Sequence, residues 1–329
     1  MTEQSIAQTV AAYLDSVSLA RSKNTARTYK NALQVFSRVL VERWLDPETT
    51  SITKLSEDAI SWLAEYLKVF SAPTERLYLT AVSGFYEYVA AEKLAEINLP
   101  RLKLLIRQRA RRPGVRLPQF PAENIEKVLV FVDSFLEQIF DSEMAKLRAL
   151  RDRAFLLTLA DTGLRVHEAC ELRRGDVDWN EGRAVVIGKG DKQALIRFSS
   201  RALNALRDYL SARSRLDGAS GRPLTSLPIF ARHDKGAGKK IKPISTATGR
   251  NIVAERVRQA LGDEAVGSIT PHSFRHYFVT TILRASGNLK LAQELARHSN
   301  IQVTQRYAHL SDDELDKGYY EIFEKKVNE

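Results

Sequence analysis

The chain has 329 residues, a formal net charge of +10 and a single cysteine, Cys170. Its length suffices for two domains with separate cores, and 44% hydrophobic with 27% charged residues is typical of a globular protein. One cysteine excludes an intrachain disulfide and a CxxC redox pair. No apolar run approaches the roughly 20 residues that span a bilayer, and the opening lacks a signal peptide's pattern, so we expect a cytoplasmic protein with no membrane partner.

The first 100 residues contain four segments in which apolar residues recur at helical spacing. The first two carry Ile6 and Val10, then Leu33 and Phe36. The third opens near Ser56 with acidic residues in its first turn, and the fourth follows a proline at 73. We predict a small four-helix domain over residues 1–100.

A basic stretch follows, with seven Lys or Arg residues and no acid over residues 101–116. Prolines at 100, 113 and 118 interrupt helical pattern, so we predict an interdomain linker over 101–118. Laid along a phosphate backbone, such a segment would add salt-dependent affinity, whereas a solvated tether is the alternative. A glycine-rich basic loop is expected at 231–243. The predicted contacts to a phosphate backbone are Arg101, Lys103, Arg107, Arg109, Arg111, Arg112, Arg116, Lys239 and Lys240.

The remaining residues, 119–329, form the second predicted domain. Helical patterns occupy about 122–140, 144–161 and 165–173. Between 177 and 198 the apolar period changes to two around glycine-containing turns, which predicts a small antiparallel sheet. The pattern then returns to helix. No internal repeat is present.

Two places early in this domain carry polar groups that packing does not explain. Gly163 ends one predicted helix and Arg165 begins the next, where the guanidinium and the helix N-terminus can hold a phosphate. Taken alone, Arg165 is better explained as an ordinary surface residue or as one paired with Glu168, one turn further on. Lys189 lies at the tip of the predicted hairpin, where a lysine is usually just solvated.

Two more places lie near the end of the chain. A helix beginning near Pro271 puts His272 and Arg275 on one face, a combination that suits the oxygens of a phosphodiester. His298 and Tyr307 follow, nine residues apart. A tyrosine has a pKa near 10, so its ionisation at neutral pH costs about 4 kcal/mol, and nearby cations would lower that cost.

Together these residues resemble the signature of the tyrosine recombinase (integrase) family. The strings TGLRVHEACEL, VVIGKGDK, PHSFRHYFVT and HSNIQVTQRYAHL look like its motif blocks, and NTARTYKNALQVF resembles part of its core-binding module. The resemblance covers nearly the whole chain and favours the simple Xer-like branch. It implies a mainly α fold with a small antiparallel β-sheet, in which a SAM-like four-helix core-binding domain precedes an α+β catalytic domain.

The resemblance also implies how the site would act on DNA. Arg165 and Arg275 would grip the scissile phosphate, Glu168 would orient Arg165, and His272 would assist phosphate binding and proton movement. The implied partner is double-stranded DNA at specific recombination sites.

The implied reaction begins with attack by Tyr307, which leaves a 3'-phosphotyrosyl bond. Lys189 would protonate the departing 5'-oxygen and His298 would support the transition state. Because the covalent bond stores the energy of the phosphodiester, the reaction would need no cofactor and no metal. His272 and His276 have a zinc-ligand spacing, but the sequence offers no evident third ligand.

Assembly is a further implication of the resemblance, namely a homotetramer on two duplexes, built from this chain alone or with a related recombinase. Leu315, Tyr319, Ile322 and Phe323 recur at helical spacing in the tail. This predicts a terminal helix that docks on the adjacent protomer or, alternatively, on its own domain.

Two positions depart from the family pattern. Arg297 stands where a glycine usually precedes the second histidine, so the sequence leaves the conformation of that turn open. Val303 replaces the first of two threonines, which we expect to be harmless. The spacing from His298 to Tyr307 is unchanged.

The leading hypothesis is a site-specific recombinase that integrates or excises a mobile element or resolves chromosome dimers. A noncatalytic DNA-binding protein on the same scaffold would tolerate Tyr307→Phe. A type IB topoisomerase would relax DNA without a target sequence. A metal-dependent nuclease or phosphatase would need a carboxylate cluster or three convergent histidines.

Overall fold

A computed structural model describes residues 4–111, 121–188, 193–234, 240–298 and 300–305 of the chain. It divides into two compact units, Met1–Arg116 and Leu117–Glu329, each with its own hydrophobic core. The fold is mainly helical with one small antiparallel sheet among the described residues, as predicted. No helix in the described ranges is long and apolar enough to cross a membrane.

The first unit is a helical domain in which three helices begin at serine caps. The side chains of Ser5, Ser22 and Ser71 each accept a hydrogen bond from a backbone N–H of the helix that follows. The apolar faces meet in a core that includes Phe36 and Phe85. Its helices are α1 (Ile6–Ala20), α2 (Lys23–Glu42), α3 (Asp58–Tyr66), α4 (Ala72–Ala91) and α5 (Leu99–Arg109).

Helix α5 is a correction to the sequence prediction, because it occupies the first part of the segment assigned to a linker. Asn98 caps it and Pro100 lies in its first turn, a position that tolerates proline. Leu102 is fully buried in the first core. The four-helix domain predicted over residues 1–100 therefore has a fifth helix, and the first unit continues through Arg111 within the described residues.

The second unit is built around α7, a helix that is buried along most of its length and packs against α6, α9 and α12. The helices predicted at 122–140, 144–161 and 165–173 are confirmed. The first of them ends at Asp133, earlier than predicted. The helices are α6 (Ala122–Asp133), α7 (Glu143–Thr162), α8 (Val166–Glu171), α9 (Ser200–Ala212), α10 (Ser214–Gly218), α11 (Thr246–Leu261), α12 (Pro271–Ser286), α13 (Leu289–Ala296) and α14 (Ile301–Gln305).

The predicted sheet is confirmed as three antiparallel strands in the order β1-β2-β3. They are β1 (Val177–Asp178), β2 (Arg183–Ile187) and β3 (Gln193–Arg197). Ala184, Val186 and Ile196 point into the core, whereas Val185 and Ile187 are exposed. Ile187 pairs with Gln193, and residues 189–192 between these two strands lie outside the described residues.

Candidate active site

The first corner of the site is the turn between α7 and α8. Gly163 has φ +60° and ψ +21°, a left-handed conformation that ends α7 and that glycine adopts without strain. A Cβ atom at this position would lie 2.4 Å from Cδ1 of Phe278 on α12. Arg165 then caps α8. The predicted glycine stop followed by an arginine at a new helix is confirmed.

Arg165 is held by Glu168 and still reaches solvent. Its backbone N–H donates to Oε2 of Glu168 at 2.9 Å, and its Nη1 donates to Oε1 at 2.9 Å. The Glu168 side chain is fully buried, whereas that of Arg165 is 40% exposed. Although burial raises the pKa of Glu168, the charges of Arg297 and Arg165 and their hydrogen bonds lower it overall, so the carboxylate stays ionised.

Arg275 is the second guanidinium of the site and is 3% exposed. It lies one turn into α12, which begins at Pro271 as predicted. Its Nη1 donates to the carbonyl of Gly163 and its Nη2 to the carbonyl of Ala296. Arg275 therefore joins the end of α7 to the end of α13 and places a positive charge between the two turns.

His272 precedes Arg275 by one turn and packs edge-on against His276, with ring centroids 4.2 Å apart. Burial and the positive charges of Arg275 and Arg165 lower the pKa of His272 below its usual value near 6.5. His272 is therefore neutral at pH 7 and adds a hydrogen-bonding group to the site without adding charge.

His298 lies just past the end of α13 and is fixed through its ring and its backbone. Its Nδ1 is 2.9 Å from Oγ1 of the buried Thr304, and its carbonyl accepts a hydrogen bond from Gln293. Burial and the charges of Arg275 and Arg165 lower the pKa of His298 to about 4. With Nδ1 turned toward Thr304, the other ring nitrogen is the one available to a ligand.

Arg297 occupies the turn whose conformation the sequence left open. It adopts φ +57° and ψ +45° at the end of α13, the left-handed conformation that a glycine would adopt there. Its side chain is 11% exposed and its Nη2 donates to Oε2 of Glu168 at 2.8 Å. The sequence shows the departure from the family pattern but not the partner of this side chain, because Glu168 lies 129 residues away.

Of the predicted catalytic set, the structure brings together Arg165, His272, Arg275 and His298. Lys189 and Tyr307 lie outside the described residues, as does the predicted terminal helix. Along the chain, Lys189 belongs to the connection between β2 and β3, and Tyr307 follows the last residue of α14 by two positions.

Comparison with known proteins accounts for both units. The phage integrase family matches residues 131–314, and the N-terminal SAM-like domain of phage integrases matches residues 10–93. The first match includes every position of the predicted catalytic set and more than half of the chain. The chain belongs to the phage integrase family.

Several Xer recombinases are similar to this integrase over most of its length. Tyrosine recombinase XerC of Bacillus subtilis is 32% identical, with 80% of this chain and 79% of that protein covered. XerC of Myxococcus xanthus is 30% identical with 91% of each covered. XerD of Mycobacterium tuberculosis is 30% identical, with 92% and 93% covered.

Solved structures share the integrase fold at lower identity. XerH bound to its difH substrate before cleavage gives a TM-score of 0.66 at 19% identity, with 96% of this chain and 84% of that chain covered. The Tn1549 transposon integrase in complex with transposon right end DNA gives 0.65 at 18% identity, with 97% and 99% covered. These likenesses establish the fold of the chain.

The predicted DNA contacts of this integrase differ in their availability. Arg101 donates to Glu57 at 3.0 Å and also pairs with Asp58, and Lys103 lies 3.5 Å from Glu87. The acids that balance this segment therefore come from α3 and α4. Arg107 and Arg109 are exposed on α5.

The other predicted contacts divide in the same way. Arg111 pairs with the buried Glu75 and donates to the carbonyl of Phe70. Lys240 is exposed. Arg112, Arg116 and Lys239 lie outside the described residues.

A basic groove in the first unit contains residues that sequence analysis did not single out. Its volume is about 740 Å³, and it lies between the end of α1, α4 and α5. Arg21 and Arg76 line it together with Lys103 and Arg107, and Glu87 is the one acid among its lining residues in the described part of the unit. These cations are far apart in sequence, so only the fold reveals them as a group.

In the described ranges, no group of three or more His, Cys, Asp or Glu side chains could hold a metal ion. Cys170 is a buried residue of α8, and burial raises the pKa of its thiol to about 12. The thiol is therefore unsuited to act as a nucleophile or a metal ligand at neutral pH.

Proposed function

We propose that the chain is a site-specific DNA recombinase that cleaves and rejoins strands through a covalent bond between Tyr307 and a 3'-phosphate. The observation that carries the proposal is the placement of Arg165 and Arg275 near His272 and His298, because the charges of both guanidiniums lower the pKa of each histidine. Membership of the integrase family supports the same activity.

The geometry suits a phosphodiester because it places two guanidiniums close to two imidazoles. Arg165 is oriented by Glu168 and remains exposed, so it can offer a bidentate contact to two nonbridging oxygens. The buried Arg275 donates to the carbonyl of Gly163, which precedes Arg165 by two residues. Preorganised donors of this kind stabilise the charge that builds up on the phosphoryl oxygens as the nucleophile attacks.

Both histidines are neutral at pH 7, so they contribute hydrogen bonds to the site without adding charge. In the proposed step, the hydroxyl of Tyr307 passes its proton to the neutral imidazole of His272, its Oη attacks phosphorus, and the bond to the 5'-oxygen breaks. The departing oxygen takes a proton, and we assign to Lys189 the role of donating it. Attack by the 5'-hydroxyl of a second strand then releases Tyr307, so the cycle consumes no cofactor.

For binding, we propose that the basic groove of the first unit and the exposed Arg107 and Arg109 contact the DNA backbone. A set of cations on one surface gives affinity that falls as salt rises, whatever the base sequence. We further propose a homotetramer on paired recombination sites, working in the cytoplasm. The resemblance to simple recombinases supports that assembly.

The test is to trap the covalent bond. Nicked duplexes prepared from a genomic library are incubated with the native chain, and complexes that resist denaturing detergent are recovered and sequenced. A nick beside the cleavage position lets the short 5'-ended strand diffuse away, so the adduct accumulates. We expect adducts on a small set of related sequences, formed equally well in EDTA.

The matched control is Tyr307→Phe, which removes only the attacking oxygen and should yield no adduct while binding the same duplexes. Retained binding without adduct in both proteins would identify a noncatalytic DNA-binding protein. Adducts spread over unrelated sequences, with relaxation of supercoiled plasmid, would identify a topoisomerase. Cleavage that EDTA abolishes would identify a metal-dependent nuclease.

A further inference from the structure

Arg297 combines two unfavourable features at one position of the site. Its backbone is left-handed, a conformation that residues with a Cβ atom seldom adopt. Its Nε is buried and has no hydrogen-bond partner among the described residues. Strain of this kind persists where the surroundings fix the residue, and it is concentrated at functional sites.

The surroundings do fix it. The backbone N–H of Arg297 donates to the carbonyl of Glu294 at 3.0 Å, and the next N–H, of His298, donates to the carbonyl of Gln293 at 3.0 Å. The side chain then leaves α13 and reaches Oε2 of Glu168 at 2.8 Å. Arg297 therefore connects the turn that carries His298 with the start of α8.

Glu168 is the point at which the two connections meet. Its Oε2 accepts from Nη2 of Arg297 and from the backbone N–H of Arg165, and its Oε1 accepts from the Arg165 guanidinium. One buried carboxylate thus serves two arginines. Paired with one arginine alone, it would cancel the charge that Arg165 offers to a phosphate, but with both arginines the group keeps a net charge of +1 by formal count.

We propose that Arg297 is a positioning residue for strand cleavage. It ties the turn bearing His298 to the carboxylate that orients Arg165, and it balances that carboxylate so that the Arg165 charge remains directed at the scissile phosphate. The inference rests on the proposed function. A glycine at this position would supply the same backbone turn without the connection and without the charge.

The experiment compares Arg297→Gly, Arg297→Ala and Arg297→Lys with the native full-length chain. The substrate is a nicked duplex recovered by the trapping experiment. Single-turnover adduct formation gives the cleavage rate constant, a filter-binding titration gives the DNA dissociation constant, and thermal unfolding gives the stability of each variant. Arg297→Gly relieves the strain of the left-handed backbone. Arg297→Ala retains that strain but lacks the guanidinium, and Arg297→Lys retains both the strain and the positive charge.

We expect Arg297→Gly and Arg297→Ala to lower the cleavage rate constant roughly tenfold, because small displacements of catalytic groups have large effects on rate. DNA affinity should change less than about twofold, since the contacts of the first unit remain. Lysine should recover part of the lost rate. Glycine should melt at a higher temperature than alanine and yet cleave no faster.

A purely structural role of Arg297 predicts that the cleavage rate follows stability, so that Arg297→Gly would cleave faster than Arg297→Ala. Cleavage by Arg297→Gly at the native rate, or faster than by Arg297→Lys, would overturn the inference and leave the proposed function intact. Failure of the native chain to form any adduct would overturn the proposed function, and the inference with it.

Discussion

Two helices of the second unit end in nearly the same backbone conformation but with different residues. Helix α7 ends at Gly163 with φ +60°, and α13 ends at Arg297 with φ +57°. The carbonyls of Gly163 and of Ala296, one residue before Arg297, both accept hydrogen bonds from Arg275. The same guanidinium therefore joins two turns of matching geometry.

The difference lies in the space around each Cβ position. At Gly163 the ring of Phe278 occupies that space, so no side chain fits. At Arg297 the side chain has a path to Glu168, and the left-handed backbone is retained at some cost in stability. A left-handed helix end can thus be reserved for glycine by packing, or it can carry a functional side chain at the expense of strain.

The largest effect is expected from Gly163→Ala, which breaks the first turn. A left-handed alanine costs about 1 kcal/mol, and the contact with Phe278 adds overpacking of about 2 kcal/mol. We therefore expect the free energy of unfolding to fall by about 3 kcal/mol in total. Urea unfolding followed by amide hydrogen exchange in α7 would report this for the second unit, and adduct formation should also fall because Arg165 and Arg275 both depend on the turn.

Two other glycines separate the contributions. Gly287 ends α12 with φ +61° and open space at its Cβ position, so Gly287→Ala tests strain alone and should cost about 1 kcal/mol. Gly218 has open space and no left-handed backbone, so Gly218→Ala should change stability by less than about 0.5 kcal/mol. Equal losses at 163 and 287 would show that Phe278 moves aside without cost.

The second effect concerns Glu168, which connects both turns. Glu168→Gln removes the charge that two arginines share, and since Arg165 is 40% exposed we expect a loss of about 2 kcal/mol at pH 7, below the full value for a buried pair. The folded-state pKa of Glu168 is lowered, so the unfolded chain binds its proton first as pH falls. This stabilisation is present above the unfolded pKa, near 4.3, and disappears as pH falls through the folded pKa.

The measurement is the difference in unfolding free energy between the native chain and Glu168→Gln from pH 7 to pH 3. Taking the difference removes the contribution of other carboxylates whose pKa values are also lowered, such as Glu75. A difference independent of pH would mean that the carboxylate is not stabilised in its ionised form by Arg165 and Arg297.

Local sequence patterns were sufficient for much of this site. A glycine stop before Arg165, a proline start before Arg275 and a change of period around the hairpin are short-range signals, and the structure confirms each of them. They determine which residues stand at helix ends, and the polar groups of this site lie at helix ends.

Long-range pairing was beyond those patterns. The stretch beginning at Arg101 reads as uncompensated charge because Glu57 and Glu75, which balance it, lie 36 to 44 residues away. The apolar residues that make α5 a helix, including Leu102 and Ile106, are interspersed with those charges. Arg297 was noted only as a departure for the same reason, since nothing near it in sequence indicates Glu168.

The smallest effect tests how the second turn holds its histidine. Thr304→Val keeps the shape of a fully buried side chain and removes the hydroxyl that contacts Nδ1 of His298. Because the lowered pKa keeps His298 neutral at pH 7, the bond joins two neutral groups and its loss should cost about 1 kcal/mol. Adduct formation should fall as well, since the ring is no longer fixed beside Arg275.

The matched control is Val303→Thr, which adds a hydroxyl to the neighbouring, 36% exposed side chain and should leave stability and cleavage unchanged. If both variants cleave at the native rate, the hydrogen bond to Thr304 does not position His298.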